Sequence, residues 1–327
     1  MNLRNSALAR LAGALLLGLA SSLAAAQTYP TRPITIVVAY PPGGAADIVA
    51  RLVAQHLGKR LNQSVVVSNR GGAAGMIGAD YVAKAAPDGY TLLMGSLPEV
   101  VINPFLYKHI SYHPDKDLRP ITMAVTYPFL FVANPSFPAH TAADLIALAR
   151  KHPGQYTYAS SGVGSVQHIG MEMLTHMAGI TLRHVPYKGV TPALNDMLGN
   201  QVSMGLAGYP PAIAQVRAGR LVAIGVSSKT RMPQSPDVPA LAETPALKNY
   251  EFVAWIGLLA PAGTSDAIVN KLQHEVGAIL AMPDVRATLE KSGMTVQGDS
   301  PAQFAGFLKE QTAKYSKVIR EAGIEAN

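Results

Sequence analysis

ITIVVAYPPGGAADIVAR, residues 34–51, decides how the chain is read. ITIVVA (34–39) is a β-branched apolar run, and it gives way at Tyr40 to two prolines and two glycines. From there Ile48, Val49, Leu52, Val53 and Leu57 recur at helical spacing, so an amphipathic helix is expected from about 45 to 60. The order is strand, bare turn, helix. Gly43 and Gly44 let a ligand approach the main chain closely. The helix that follows offers unpaired N–H groups and the positive end of its dipole, which together bind anions. Two readings stay open on this loop alone: a backbone cradle for a carboxylate or phosphate, or a plain glycine turn with Asp47 serving the helix start.

The same grammar continues outward. VVVSN (65–69), a helix through Ile77 and Val82, the turn PDGY (87–90) and TLLMG (91–95) complete a first α/β unit. A second series begins at FLFVA (129–133), with Thr141 and Asp144 as a capping pattern before DLIALAR. YTYAS (156–160), a helix after Gly164, LRHVPY (182–187), a helix through Leu194 and Leu198, VSMGLA (202–207) and LVAIGV (221–226) follow. The fold class is therefore α/β, each unit a mostly parallel sheet flanked by helices. FLFVA and VAWIGLLA (253–260) are the stretches that carry the chain between units. Three helices and little strand come after the second, so the C-terminus is expected to pack back on the first unit. Two crossings make a hinge that closes lobes over a ligand.

Composition narrows the function classes. Of 327 residues 49% are hydrophobic and 14% charged, which describes a well-buried globular chain. Arg4 and Arg10 precede the apolar run LAGALLLGLA, which ends in Ala24-Ala25-Ala26 before Gln27. That is the pattern of a cleaved secretory signal; the run is short of the roughly 20 residues a membrane anchor needs. With zero cysteines there is no disulfide, thiolate nucleophile or thiolate metal site, which fits a bacterial periplasm. Without Arg4 and Arg10 the formal charge falls from +7 to +5, and no basic run marks a nucleic-acid groove. The mild positive balance either steers anionic small molecules or serves only solubility.

A second loop repeats the pattern of the first. SSGVGSVQH (160–168) follows a strand, carries two glycines and opens a helix. Open α/β sheets bind ligands at such strand ends. Ser161 and Ser165 can donate to an anion or cap their own helix. YKGVTPAL (187–194) is a third strand-to-helix passage, where Tyr187 and Lys188 supply a hydroxyl and a charge, although a lysine there is commonly just solvated. NRGGAAGMIG (69–78) and Gly162-Val163-Gly164 lack dinucleotide spacing and are read as tight helix packing. Catalysis finds little support. His109 and His113 have no adjacent Glu, and Pro114 argues against a helix there. A Ser165–His168 pair is conceivable, but a helix-face or ligand-adjacent histidine is the better reading. No carboxylate dyad is visible. The site set therefore contains no catalytic residue, metal ligand or cofactor.

YPPGGAADIVAR, NRGGAAGMIGADYVAKAAPDGYTLLMGS, SSGVGSVQH, YKGVTPALNDMLGNQVSM and WIGLLAPAGT, in that order, closely resemble the Bug family, periplasmic solute receptors of tripartite tricarboxylate transporters. The resemblance covers nearly the whole chain after residue 26. It implies a two-lobed Venus-flytrap fold of the type 2 periplasmic binding proteins, with residues 27–127 and 253–327 forming lobe one and 128–252 lobe two. It implies a small carboxylate held by backbone amides and ordered water, membrane transporter subunits as partners, a monomer in the periplasm, and signal cleavage near Ala26. Carried over, Tyr40, Pro42, Gly43, Gly44, Ala45, Asp47 and Ser96 form the lobe-one side of the site. Ser161, Gly162, Gly164 and Ser165 form the lobe-two side, flanked by His168, Tyr187 and Lys188. The segment after TLLMGS, polar in the family, reads LPEV here. Glu99 is expected at an exposed helix start; facing the cleft, it would suit a ligand bearing an amine. A sensory module with a membrane signalling partner would use the same site, and an enzyme acting on a carboxylated substrate is the remaining alternative.

Overall fold

In the computed structural model, which describes residues 29–321 and 323–324, the opening stretch folds as β1 (Ile34–Val38), a turn, and α1 (Ala45–Leu61). The signal-like segment, residues 1–26, lies outside the described residues. β1 is central in a parallel trio with β2 (Val65–Asn69) and β3 (Thr91–Ser96). A strand covered on both faces must be apolar on both, which is why Ile34, Ile36, Val37 and Val38 are all fully buried. Between β2 and β3 runs α2 (Met76–Ala83). α1 lays Val49, Val53 and Leu57 on this sheet, each buried side chain contributing about 1.5–3 kcal/mol. Ile48, expected on that face, is 39% exposed, because the buried line runs through 49, 53 and 57.

The expected strand at 129–133 is the last third of a longer one. β4 (Leu118–Ala133) is 16 residues long and contains Pro120 and Pro128, residues that ordinarily argue against strand. The chain accommodates Pro120 at a register shift against its neighbour. After β4 come α3 (Ala142–Lys151), β5 (Thr157–Ser160), α4 (Val166–Ala178), β6 (Arg183–Pro186), α5 (Val190–Leu198) and β7 (Met204–Gly208). α6 (Tyr209–Arg217) carries Pro210 and Pro211 in its first turn, where proline is tolerated because the N–H groups are unpaired anyway. The rest is β8 (Val222–Val226), β9 (Val253–Pro261), α7 (Asp266–Leu280), α8 (Pro283–Lys291), β10 (Thr295–Val296) and α9 (Pro301–Glu321).

Two sheets share β4. Residues 118–128 pair antiparallel with β9, which pairs with β3, while residues 129–133 lie between β7 and β8. β5 joins β7 and β6 in parallel on the second sheet. The result is the two-lobed α/β architecture, with β4 running through both sheets. Where β4 changes partners, buried Ser227 stitches the strands: its hydroxyl accepts from the Phe129 amide at 2.8 Å and donates to the Phe252 carbonyl at 2.5 Å. α9 returns to the first sheet, packing Phe304 edge-on to Trp255 at 5.4 Å, and also touches α4 of the second.

Candidate functional site

The turn after β1 is built to keep amides free. Gly43 sits at φ +90°, a conformation closed to side-chain-bearing residues without strain, and no atom lies within 4 Å of where its Cβ would be. Gly44 is the cap residue of α1 and offers no side chain to its first turn. The amides of Ala45, Ala46 and Asp47 consequently have no hydrogen-bond partner among the described residues. Pro41, Pro42, Gly43 and Gly44 are exposed and Ala45 is half-buried, so the turn leading into these amides is open to solvent, while Ala46 and Asp47 are buried behind it.

Asp47 faces the other way. Its carboxylate is buried, accepts from the Gly43 amide, Arg51 Nε and Asn69 Nδ2, each at 2.9 Å, and so braces the loop from behind. The Arg51 bond, with those from Gly43 and Asn69, holds its pKa down at about 2 against burial. Arg51 also neutralises the carboxylate, which leaves the anion-binding side of the loop unopposed by a bare negative charge. Tyr40 anchors the same network, its carbonyl accepting from Asn69 Nδ2 at 3.0 Å.

The loop after β5 is organised by histidines. Ser165 caps α4 by accepting from the His168 amide at 3.3 Å, and Ser161 donates to Gln167 at 2.8 Å. The Gly164 amide donates to His168 Nδ1 at 3.0 Å, which puts the neutral ring's proton on Nε2. Gly162 donates its amide to Ser160 Oγ at 3.1 Å. The amides left without partners among the described residues here are those of Ser161, Val163, Val166 and Gln167. Gly162 and Gly164 thus shape the loop, at φ +132° and +73°, more than they donate from it.

Sequence reasoning missed His184. It stands opposite Tyr158 in the β5–β6 register, stacks on His168 at 3.9 Å, and its Nε2 meets Ser160 Oγ at 2.6 Å. The signal available was a polar residue at a paired strand position. Burial, then the adjacent His184, pushes the His168 pKa down to about 4, so the stack is neutral and acts as scaffold. Tyr187 donates to Asp196 at 2.8 Å, and Lys188 is exposed with no hydrogen bond or ion pair among the described residues.

Glu99 corrects an expectation. It is not an exposed helix start but fully buried, because the π-helical turn Pro98–Ile102 folds its carboxyl back over the end of β3. There it accepts from the Ser96 amide at 2.6 Å, the Ser96 hydroxyl at 2.8 and 3.0 Å, and the Tyr40 hydroxyl at 2.8 Å. Ser96 is therefore engaged with Glu99. The spacing Ser96-x-x-Glu99, a capping-box pattern, was the signal in the sequence.

Two cavities, of about 420 and 560 Å³, lie away from these loops and include none of their residues. The first is lined by residues such as Arg231, Glu251 and Lys314, the second chiefly by apolar side chains. The strand-end loops each join a parallel strand to the start of a helix, where open α/β sheets bind ligands, and are the stronger site. Among the described residues no group of three or more His, Asp or Glu could hold a metal, and no helix is long and apolar enough to cross a membrane.

Relatives of the chain are known. The family described as "Tripartite tricarboxylate transporter family receptor" matches residues 49–324. Protein BugT of Bordetella pertussis is 36% identical over 301 residues, 91% of each chain. Among solved structures, Rpa4515 of R. palustris with adipate is 33% identical with a TM-score of 0.81, over 91% of this chain and 99% of that one. MatC (Rpa3494) from Rhodopseudomonas palustris with bound malate is 32% identical with a TM-score of 0.77, over 89% and 100%. A match of this extent, on a two-lobed fold whose strand-end loops leave their amides open, means that the chain belongs to the Bug family of tripartite tricarboxylate transporter receptors.

Proposed function

We propose that this receptor captures a small organic carboxylate at the turn after β1 and presents it to membrane transporter subunits from the periplasm, after removal of residues 1–26. One observation carries the reading: the first-turn amides of α1 have no partner among the described residues, no capping side chain and an exposed glycine turn in front of them, while the nearest carboxylate is turned inward and paired. Adipate and malate in two relatives indicate the ligand's size and charge. The loop after β5 supplies the opposing wall, with Tyr187 and Lys188 at its edge. The lobes divide as 27–127 with 253–327 and as 128–252, hinged where β4 and β9 cross beside Ser227. Closure requires only that the closed state bind the acid more tightly than the open one.

A thermal-shift screen of mono-, di- and tricarboxylates tests this. An acid present at a hundred times its dissociation constant should stabilise the fold by about 2.7 kcal/mol. Absence of a shift with every acid would overturn the reading, as would chemical conversion of an acid that does bind.

A further inference from the structure

The loop after β1 shares a wall with a buried acid for which carboxylate capture alone has no use. Glu99 is fully buried and forms no ion pair among the described residues; its oxygens meet only Ser96 and the Tyr40 hydroxyl. The charged and titratable groups on the elements around it are few. Tyr40 opens the turn after β1, and Asp80 of α2 is paired with Lys84 at 2.7 Å. Tyr112 donates to the Glu99 carbonyl at 2.5 Å, and Tyr127 comes from β4. Lys309 of α9 lines the cavity behind Val100 and Val101. Burial and the Glu99 charge push the Tyr40, Tyr112 and Tyr127 phenols upward, so none of them ionises near neutrality. Burial raises Glu99 itself to about 7.

Tyr40 ties this acid to the turn. Its hydroxyl holds Glu99 Oε2 at 2.8 Å and has a second acceptor, the Ala74 carbonyl, at 3.4 Å. Its carbonyl accepts from Asn69, which also holds Asp47, which in turn holds the Gly43 amide. Both protonation states of Glu99 can therefore be hydrogen-bonded. Ionised, the carboxylate accepts from Ser96 and Tyr40. Protonated at Oε2, it donates to the Tyr40 oxygen, whose own hydrogen turns to Ala74. The proton comes from solvent and no covalent bond other than the new O–H forms.

We infer that Glu99 is a proton-binding site coupled to the turn after β1, so that the receptor takes up its carboxylate together with a proton and releases both. The inference rests on the carboxylate reading above. A bound anion at the turn raises the cost of a second negative charge on the buried Glu99 behind it, so it favours the neutral acid. Linkage makes the effect reciprocal: the proton favours the anion by the same factor. Below about pH 7 Glu99 is neutral with and without ligand and affinity is flat. As pH rises through that value the free protein loses the proton first, and affinity falls, at most tenfold per pH unit, until the bound form titrates too.

The test is calorimetric titration of the receptor with adipate, malate and aspartate, each in two buffers of different ionisation enthalpy, between about pH 6.5 and 8.5, where the side carboxylates are ionised. The expected result is uptake approaching one proton per adipate or malate at the alkaline end, and difference infrared spectra in which a carboxylic-acid band appears on binding. Glu99→Gln should bind with pH-independent affinity, without proton uptake or that band. Should that variant not fold, Tyr40→Phe serves: it removes a donor to the ionised form and should move the fall in affinity to higher pH. Binding with a flat pH profile and no uptake overturns the inference and leaves the receptor reading standing. Affinity for aspartate that rises with pH also overturns it, making Glu99 the counter-ion of an ammonium group. No binding of any of the acids at any pH removes the carboxylate reading, and this inference with it.

Discussion

Gly43→Ala and Gly44→Ala add the same methyl group to adjacent positions, and in both cases it would enter space with no atom within 4 Å. Packing therefore cannot distinguish them; only the backbone can. Gly43 is held at φ +90°, whereas Gly44 is extended at φ −78°, ψ 170°. Forcing an L-residue into the left-handed half of the map costs about 1–2 kcal/mol. At Gly44 the methyl restricts the unfolded chain, a gain of about 0.4–1 kcal/mol, and weakens a cap by a similar amount. Gly43→Ala should thus be the less stable of the two by about 1–2 kcal/mol, a few degrees in melting temperature for a chain of this size. If the loop relaxes to relieve strain, the Gly43 amide leaves Asp47 and the first-turn amides lose their aim. Affinity for the best acid of the screen should then fall about tenfold, the equivalent of 1.4 kcal/mol. Differential scanning calorimetry and calorimetric titration of both variants measure the two effects. Equal stability and equal affinity in the pair would refute the claim that the glycine at 43 is required by its backbone conformation.

Three further outcomes follow from the geometry. Asp47→Asn removes a carboxylate whose pKa is lowered from 3.8 to about 2, which amounts to about 2 kcal/mol of stability. That stability is present above about pH 4 and is lost as pH falls through 2, so variant and parent should converge in acid urea melts. His168→Phe keeps a ring on His184 but leaves the buried Gly164 amide unpaired, at a cost of about 1–3 kcal/mol by urea denaturation. Because the folded pKa of His168 lies below its unfolded value, its contribution is present above about pH 6.5 and lost as pH falls toward 4; the variant should show less of that slope. Ser227→Ala strips partners from a buried amide and a buried carbonyl where β4 changes sheets, and should destabilise by about 1–3 kcal/mol. A loss within experimental error would mean that water replaces the hydroxyl there.

The sequence by itself determined the elements whose cause is local. ITIVVA, VVVSN and TLLMG are strands in the fold because β-branched runs between turn residues have no competing periodicity, and the helices at 45–61 and 166–178 start at a glycine that leaves the first turn uncapped and at a serine that caps it. The positions of both strand-end loops followed from that order. What the tertiary structure decided depends on neighbours distant in the chain. β4 continues through Pro120 and Pro128 because β9 supplies partners along residues 118–128. Asp47 is held inward by Asn69, 22 residues later, His184 reaches Ser160 across a strand pair, and Glu99 is buried because Tyr40, 59 residues earlier, gives it a partner. A side chain's hydrogen-bond partner, and with it the side's charge state, is fixed by which strands lie side by side. That arrangement comes from burying the sheets' faces, and no local pattern encodes it.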